Sequence, residues 1–382
     1  MKRYALIALM LAVCLLAACA QPDTSPSPTA AATPSAKTTP VPTATPSPTT
    51  VATLAPVASD VPSAEADDEP AINANRTLYE DADSIYYLSP WYAYVDFVMH
   101  NGLYRISKAD GSAAILASNV SCLYLSDESL YYATCEASAT EAVCNTVCRY
   151  DTATGKTKTL FTQSADICLL AVYGDQLYYT ANPNPGEGEF YSDIYRCDFD
   201  GRGATTVMAS GYSFAFHGGM LYCTLVTEGD FVPLLATRLG ACDVQEPELT
   251  PQNESDNFEV NSGALCYYGG GLSLYDVGSD KTRAVLNDCS APGFAILGQY
   301  VLYLSGAQGG DALSAADTAT GETYLLAPLS EYLAQGDLAL HTGNSGAYLS
   351  ANDGAGSFAL WRIAIEDGHA SITPVAEASA AA

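Results

Sequence analysis

The sequence predicts an all-β protein whose main domain is a β-propeller of four-stranded antiparallel blades. Its clearest copy contains four short apolar or aromatic runs, at 167–172, 177–180, 193–198 and 205–208, separated by turn residues. Such runs are typical of a four-stranded antiparallel meander. One sheet of this kind cannot cover both of its faces, so its recurrence along the chain indicates stacked copies in a closed ring.

A marker residue that follows an aliphatic one recurs in the second run of each copy. The markers are Tyr86, Tyr131, Tyr178, Tyr222, Cys266, Tyr303 and Tyr348. Their spacing of about 37 to 47 residues is close to that of propeller blades. Turns such as Asp110-Gly111 and Asp200-Gly201 follow the third run and supply the positive φ of a tight hairpin. We therefore predict seven blades within residues 76–376, with most of the 26 tyrosines packed between blades.

Residues 1–19 are predicted to be an export signal, with Lys2 and Arg3 before an apolar run that is too short to span a bilayer. The ending Leu16-Ala17-Ala18-Cys19 resembles the lipobox of bacterial lipoproteins. By that resemblance Cys19 becomes the lipidated N-terminus, which would place the protein on the bacterial cell surface, anchored to the outer face of the cytoplasmic membrane. The alternative is an ordinary secretory signal, cut after Ala18 or Ala20.

Residues 20–75 are rich in Pro, Thr, Ser and Ala and nearly lack large apolar side chains. This composition cannot bury enough surface to offset the entropy of ordering, so we predict a disordered tether. The Ala-rich tail at 377–382 is also predicted to be disordered. The folded part is expected to be one domain and a monomer.

The net charge of −28 limits the partners of the domain. A strongly acidic surface repels phosphate backbones, so nucleic acid is not an expected partner. Contact with the membrane is expected only through the lipid on Cys19.

Ten of the twelve cysteines remain once Cys14 and Cys19 are set aside. Five lie in predicted strands where other copies have apolar residues, so we expect them to be small buried side chains. These five are Cys122, Cys168, Cys197, Cys223 and Cys266. If one disulfide forms, the pair is Cys135 with Cys144, on the strands that flank one hairpin loop.

No motif selects a catalytic, metal or cofactor site. None of the four His residues lies in a nucleophile elbow or a metal-spaced pair, and no phosphate-binding loop is present. The run Asp198-Phe199-Asp200-Gly201 lacks the later acidic residue of a calcium loop, so it predicts a turn. We predict no catalytic residue, no bound metal and no cofactor.

Three long connections between second and third strands, at 89–101, 181–193 and 224–233, should lie on one face of the ring, because the chain direction repeats in every blade. They combine aromatic and acidic side chains, which suit stacking and hydrogen bonding to a sugar or peptide. The candidate ligand-binding residues are Trp91, Tyr92, Tyr94, Glu189, Phe190, Tyr191, Asp230 and Phe231. The alternative is that these aromatics pack only against their own loops.

With the Leu-Tyr-Tyr, Tyr-Arg-x-Asp and Asp-Gly landmarks assembled, the chain resembles the low-density-lipoprotein-receptor-like β-propeller domains of uncharacterised Firmicutes lipoproteins. The resemblance covers roughly residues 76–376 and departs at the family's Tyr-Trp-Thr-Asp motif, where this chain has Tyr178-Tyr179-Thr180-Ala181. Such domains usually have six blades, so the resemblance gives six as the alternative count. It implies no catalytic residues.

Our first hypothesis is a non-catalytic binding or scaffolding module for a cell-envelope or extracellular ligand, such as a glycan, a peptide or an envelope protein. The alternative is a propeller-type glycan hydrolase or lyase, which requires carboxylates with perturbed pKa values at the axial channel. A purely structural partner in an envelope assembly is a third class, marked by a broad apolar patch.

Overall fold

A computed structural model describes residues 71–89, 92–93, 98–99, 102–137, 142–182, 192–227, 230–238, 257–261, 264–268, 272–276, 281–286, 293–305, 311–353, 357–366 and 369–378. These residues form seven four-stranded antiparallel sheets and one two-stranded hairpin. No helix in the described part of the chain is long and apolar enough to cross a membrane.

A short strand, β1 (Ile72–Asn73), comes before the first complete sheet. The first three sheets then follow in chain order. Sheet 1 contains β2 (Leu78–Glu80), β3 (Ser84–Ser89), β6 (Gly102–Ser107) and β7 (Ala113–Ser118), with the hairpin of β4 (Tyr92–Ala93) and β5 (Val98–Met99) between its second and third strands. Sheet 2 contains β8 (Val120–Ser126), β9 (Ser129–Ala137), β10 (Ala142–Asp151) and β11 (Lys156–Thr162). Sheet 3 contains β12 (Asp166–Tyr173), β13 (Gln176–Asn182), β14 (Asp193–Cys197) and β15 (Thr205–Met208).

The remaining sheets continue the same pattern. Sheet 4 contains β16 (Gly211–His217), β17 (Met220–Thr227) and β18 (Asp230–Arg238), and β1 completes it. Sheet 5 contains β19 (Asn257–Asn261), β20 (Ala264–Tyr268), β21 (Leu272–Asp276) and β22 (Lys281–Leu286). Sheet 6 contains β23 (Phe294–Leu297), β24 (Tyr300–Ser305), β25 (Ala312–Asp317) and β26 (Thr323–Pro328). After the one-turn helix α1 (Ser330–Leu333), sheet 7 contains β27 (Asp337–Thr342), β28 (Ala347–Asn352), β29 (Phe358–Glu366) and β30 (His369–Ala378).

The predicted fold, a β-propeller of four-stranded antiparallel blades, is confirmed. Each marker residue lies on the second strand of its own sheet. The predicted glycine turns between third and fourth strands also form, and Gly111 and Gly155 have φ values of 71° and 68°. Six sheets are built from strands that follow one another along the chain, whereas sheet 4 takes its fourth strand from β1.

In the six sheets other than sheet 4, the first strand is the innermost and the fourth is the most exposed; in sheet 4, β1 lies on the inner side of β16. Contacts between neighbouring sheets are most numerous between first strands, such as β8 with β12 and β23 with β27, while β11 exposes five of its seven residues and β7 three of its six. We use "turn face" for the end of the ring where first strands turn into second strands. "Loop face" is the opposite end, where second strands connect to third strands.

A bulge recurs in the fourth strand of six sheets. In sheet 2, Val147 pairs with Phe161 and the next residue, Cys148, pairs with Thr159, so Leu160 is the extra residue. An aliphatic residue occupies this position in every such sheet: Leu116, Leu160, Val207, Val285, Leu326 and Val375. Each packs against a core cluster. A bulge increases strand twist and turns an additional apolar side chain inward.

Aromatic side chains pack between neighbouring sheets, as the sequence predicted for the tyrosines. Tyr131 of sheet 2 stacks on Phe199 of sheet 3, with centroids 5.8 Å apart, and Tyr178 of sheet 3 meets Phe216 of sheet 4 at 4.8 Å. Phe199 lies in the Asp198–Gly201 segment, which is a turn as predicted.

The structure differs from the sequence-based expectations at three places. Segment 224–233, expected to be a long loop, is a hairpin whose strands run to Thr227 and resume at Asp230. The strand β1 lies upstream of the expected domain start at residue 76. Of the five cysteines expected to be buried, Cys122, Cys197 and Cys223 are buried, but Cys168 is exposed. Cys168 is the bulged residue between Ile167 and Leu169, so it leaves the regular alternation of the strand. The side chain of Cys266 lies outside the described part.

Candidate functional site

The predicted ligand-binding residues fall mostly outside the described ranges. Trp91, Tyr94, Glu189, Phe190 and Tyr191 are all outside them, and so is the predicted lipidation site, Cys19. Tyr92 lies on β4, within the hairpin inserted in sheet 1, and Asp230 and Phe231 begin β18. The connections that carry these residues all join second strands to third strands and therefore start from the loop face.

Cys135 and Cys144 form a disulfide whose Cα atoms are 3.8 Å apart. They are direct cross-strand partners on β9 and β10, next to the connection between the second and third strands of sheet 2. This is the pair that the sequence analysis singled out.

The axis of the propeller is occupied by the chain segment that comes before the first sheet. Ile72 and Asn73 pair with Phe216 and Ala215 on the inner edge of sheet 4. The Asn73 side chain extends this pairing to sheet 5: its amide donates to Val260 O at 3.0 Å, and its oxygen accepts from Val260 N at 2.8 Å. One carboxamide thereby satisfies a buried N–H and a buried C=O of the neighbouring strand.

Contacts of the next residues join further inner strands to this segment, which we call the axial segment (residues 72–79). Asn75 donates to Phe258 O at 2.8 Å, and Thr77 Oγ1 lies 2.9 Å from Nδ1 of His341 on β27. Tyr79 donates back to Asn73 O at 2.7 Å and contacts Tyr124 of sheet 2 edge-on. The segment thus contacts the inner strands of five sheets other than its own, including β12 of sheet 3.

A buried ion pair lies beside the axial segment. Arg76 Nε is 3.7 Å from Glu259 Oε1, and both side chains are largely buried. Burial raises the pKa of Glu259, against the opposing effects of Arg76 and the Thr342 hydroxyl. Oε2 of Glu259 has no hydrogen-bond partner among the described residues. The carboxylate is therefore held by the chain's own cation.

His341 is the polar contact of the axial segment on the side of sheet 7. Its Nε2 lies 2.8 Å from Ser350 Oγ, so both ring nitrogens have hydrogen-bond partners. Burial lowers the pKa of His341 to about 4. The imidazole is therefore neutral at physiological pH and acts as a structural hydrogen-bond partner.

One carboxylate joins sheet 1 to sheet 7 at their seam, in addition to the hydrogen bonds of Tyr87 and Ser89 to Asn352. Glu80, at the end of β2, is 4% exposed. It accepts hydrogen bonds from Ser345 N at 2.6 Å, Ser345 Oγ at 2.9 Å and Tyr348 OH at 3.0 Å, and Lys108 Nζ lies 2.8 Å away. Burial opposes the ionisation of Glu80, but the hydrogen bonds from Lys108 and Ser345 outweigh it and lower the pKa.

The turn of sheet 7 approaches Glu80 closely because it contains glycine. A Cβ at Gly343 would lie 2.7 Å from Glu80 Oε1 and 2.6 Å from the Tyr348 ring. A side chain at this position would therefore push the turn away from the carboxylate. We call this group (Glu80, Lys108, Ser345 and Tyr348) the seam clasp.

A cleft of about 530 Å³ opens beside the seam clasp. Its walls come from the third–fourth strand turn of sheet 1 and from β28, β29 and β30 of sheet 7, and they include Lys108, Tyr348, Arg362 and Thr373. Its size is in the range of small-molecule sites. Within the described ranges, no group of three or more His, Cys, Asp or Glu side chains could hold a metal ion.

No protein-family model matches the chain, and no curated protein matches it. Solved structures do. Acylaminoacyl peptidase from Pyrococcus horikoshii is 12% identical, with a TM-score of 0.51 over 79% of this chain and 52% of that protein. A prolyl endopeptidase structure is also 12% identical, with a TM-score of 0.51 over 79% of this chain and 50% of its own. AztD from Citrobacter koseri is 9% identical, with a TM-score of 0.47 over 80% and 86% of the two chains.

The fold is a β-propeller. The similar structures are themselves β-propeller proteins, and none of them supports the resemblance to the receptor-like lipoproteins in particular. At such low identity the likeness concerns the fold alone. The chain spans about half the length of the two peptidases that it matches.

Neither the axial segment nor the seam clasp is predicted from the sequence, although breaks in the repeat point to the axial segment. At the level of the markers, inner strands carry Tyr79 and Tyr124 in sheets 1 and 2 but Ala171 and Ala215 in sheets 3 and 4. Small residues at this level of two neighbouring sheets leave space in the centre of the ring. Glu259 at the same level of sheet 5 is a second departure.

Proposed function

We propose that this protein is a lipid-anchored extracellular β-propeller that acts as a non-catalytic binding or scaffolding module for a cell-envelope or extracellular ligand. The observation that carries the proposal is the occupied axis. Asn73, Arg76 and Thr77 contact Val260, Glu259 and His341 of the inner strands, although Oε2 of Glu259 has no hydrogen-bond partner among the described residues. Recognition is then left to the faces and the seams of the ring.

The occupied axis also bears on the alternative, a glycan hydrolase or lyase. That activity needs carboxylates which a substrate can reach. Glu259 has the raised pKa of a catalytic acid, but it is buried and paired with Arg76. Asp166, whose pKa burial also raises, accepts a hydrogen bond from Cys144 N at 2.7 Å. These contacts support a structural use of both acids and favour the binding hypothesis.

The ligand-binding part of the proposal is tested on a glycan and cell-wall array. The full-length chain with Cys19→Ser, which prevents lipidation, is compared with the same chain carrying Trp91→Ala, Tyr92→Ala and Phe190→Ala. Binding by the first protein and its loss in the second, with identical thermal unfolding, is the expected result. Turnover of any bound glycan into shorter products would contradict the non-catalytic assignment.

The anchoring part is tested by cell fractionation. The wild-type protein is expected in the membrane fraction, and the Cys19→Ser variant in the culture medium, because two or more acyl chains anchor a protein firmly. Equal distribution of the two proteins would contradict lipid anchoring at Cys19.

A further inference from the structure

The geometry points to a binding site for an anionic ligand in the cleft between sheets 1 and 7, with Arg362 as the anchoring residue. This site lies on the turn face, opposite the loop-face residues of the binding role proposed above, and adds a second ligand class to that role. The ligand class is a small molecule that carries a carboxylate or a phosphate group.

The first argument is a comparison of Arg362 with its equivalents in other sheets. Arginine faces the marker tyrosine across the second and third strands in sheets 1, 2, 3 and 7, in the pairs Tyr86–Arg105, Tyr131–Arg149, Tyr178–Arg196 and Tyr348–Arg362. In sheets 1 and 2, the Nε of this arginine donates to a serine two residues before the marker, Ser84 or Ser129, at 2.9 Å. The repeat thus normally provides the guanidinium with a local acceptor.

Sheet 7 has lost that acceptor. The residue two positions before its marker is Gly346, and a Cβ there would lie 3.2 Å from Arg362 Nε. Arg362 instead donates from Nη2 to the backbone oxygen of Ser345 at 3.1 Å. No ion pair among the described residues involves Arg362. Its guanidinium lines the cleft with hydrogen-bond donors left over, which match the planar, two-pronged geometry of a carboxylate or phosphate.

The other cation of the cleft is Lys108, whose charge is offset by Glu80. Lys108 lines the opposite side of the cleft, where its ammonium contacts Glu80 and donates to Asp81 O. Glu80 is saturated by four donors and Asp110 by Ser112. The charge of Glu80 is therefore offset by Lys108, while the hydrogen bonds from Ser112 keep Asp110 ionised, and Arg362 has no ion-pair partner among the described residues.

The cations of the ring lie toward the turn face, on which the cleft opens, but so do carboxylates such as Asp81, Asp151, Asp198 and Asp317. The net charge of −28 therefore opposes anion binding in general, and the local donors of Arg362 have to outweigh it.

The test is calorimetric titration of the full-length Cys19→Ser chain at about 0.15 M ionic strength. The probes are inorganic phosphate, galacturonate and the neutral sugar galactose. We expect at least one of the two anions to bind, with a dissociation constant on the order of millimolar, and galactose not to bind. Binding of phosphate alone indicates a phosphate ester, and binding of galacturonate alone a carboxylate.

The variant Arg362→Gln is expected to weaken anion binding at least about tenfold, because it removes a charge-assisted contact. The matched control is Arg196→Gln, which changes the equivalent arginine of sheet 3, where Nε donates to Thr205 Oγ1 at 3.3 Å. This control should bind as the wild type does, and unchanged thermal unfolding of both variants shows that they fold.

Two results would overturn the inference: neither anion binds, or Arg362→Gln binds as tightly as the control. If array binding persists in Arg362→Gln in either case, the proposed binding role stands and only this site is refuted. Conversely, if the variant with Trp91, Tyr92 and Phe190 changed to Ala loses array binding but still binds the anion, the site in the cleft stands.

Discussion

The seam clasp should contribute strongly to the stability of the ring, since no strand is shared between sheets 1 and 7. Their apolar contact is the cluster formed by Leu78, Ile85 and Tyr87 with Phe358 and Leu360. The substitution Glu80→Gln keeps the shape of the side chain but removes its charge. It leaves Lys108 without its carboxylate. It also gives the Ser345 and Tyr348 donors an amide, in which only the oxygen accepts hydrogen bonds.

The size of the effect follows from the contacts. Four donors converge on the carboxylate, and a hydrogen bond to a charged group contributes about 1.5–3 kcal/mol. These contributions are not additive, and Lys108, whose side chain is 29% exposed, can regain water. Breaking a buried pair from one side costs about 3–5 kcal/mol. We expect a loss near the lower limit, about 3 kcal/mol.

The measurement is urea denaturation followed by circular dichroism at neutral pH. Its control is Glu322→Gln, which also removes a carboxylate that accepts from a tyrosine, Tyr324 OH at 2.7 Å, but on the exposed surface. The control should change the free energy of unfolding by no more than about 0.5 kcal/mol. If Glu80→Gln destabilises the protein no more than the control does, the seam clasp does not hold the ring closed.

The same carboxylate gives a pH dependence with a defined sign. The pKa of Glu80 is lower in the folded protein than its ordinary value of 4.5. Its contribution is therefore complete above pH 4.5 and decreases as the pH falls toward the folded-state pKa. The stability difference between the wild type and Glu80→Gln should narrow below pH 4.5, and a difference that stays constant into acid would refute the linkage.

Two further predictions concern the axis and the thiols. Asn73→Ala removes both hydrogen bonds to Val260 and leaves a buried N–H and C=O unpaired, so we expect a loss of about 2–4 kcal/mol in urea denaturation. The exposed turn variant Asp175→Ala serves as its control, and equal stability of the two variants would refute the role of the axial segment. Alkylation of the native protein followed by peptide mapping should modify Cys168 well before the buried Cys122 and Cys223. Modification of all three at one rate would contradict the exposed bulge.

Prediction from the sequence succeeded for the parts of the structure that are formed by residues close together in the chain. A hairpin such as Asp151–Gly155 is specified by residues a few positions apart, and the Gly155 N–H donates to Asp151 O at 2.8 Å. The apolar and aromatic run around Leu177 and Tyr178 is likewise buried along its whole length, as its composition indicates. Seven repetitions of these local signals were enough to predict the propeller and its antiparallel sheets. The position of Cys135 and Cys144 beside one hairpin loop made them the expected pair if one disulfide forms, and this pair is bonded.

The candidate sites were harder to predict because their residues are distant in sequence. Arg362 occupies the same register position as Arg105 and Arg149, and its neighbour Gly346 distinguishes it from them. Only the tertiary structure places it across a cleft from Lys108 of the first sheet. The rim residues were chosen by composition, which does not specify how loops pack.

The sequence by itself determined the repeated unit, because hairpin turns and strand alternation depend on neighbouring residues. The closure of the ring and the content of its axis were decided only by the tertiary structure. Asn73 meets Val260 across 187 residues, and Glu80 meets Ser345 across 265. Such contacts have no period in the sequence, since each forms once, when seven similar sheets have to meet around a single centre.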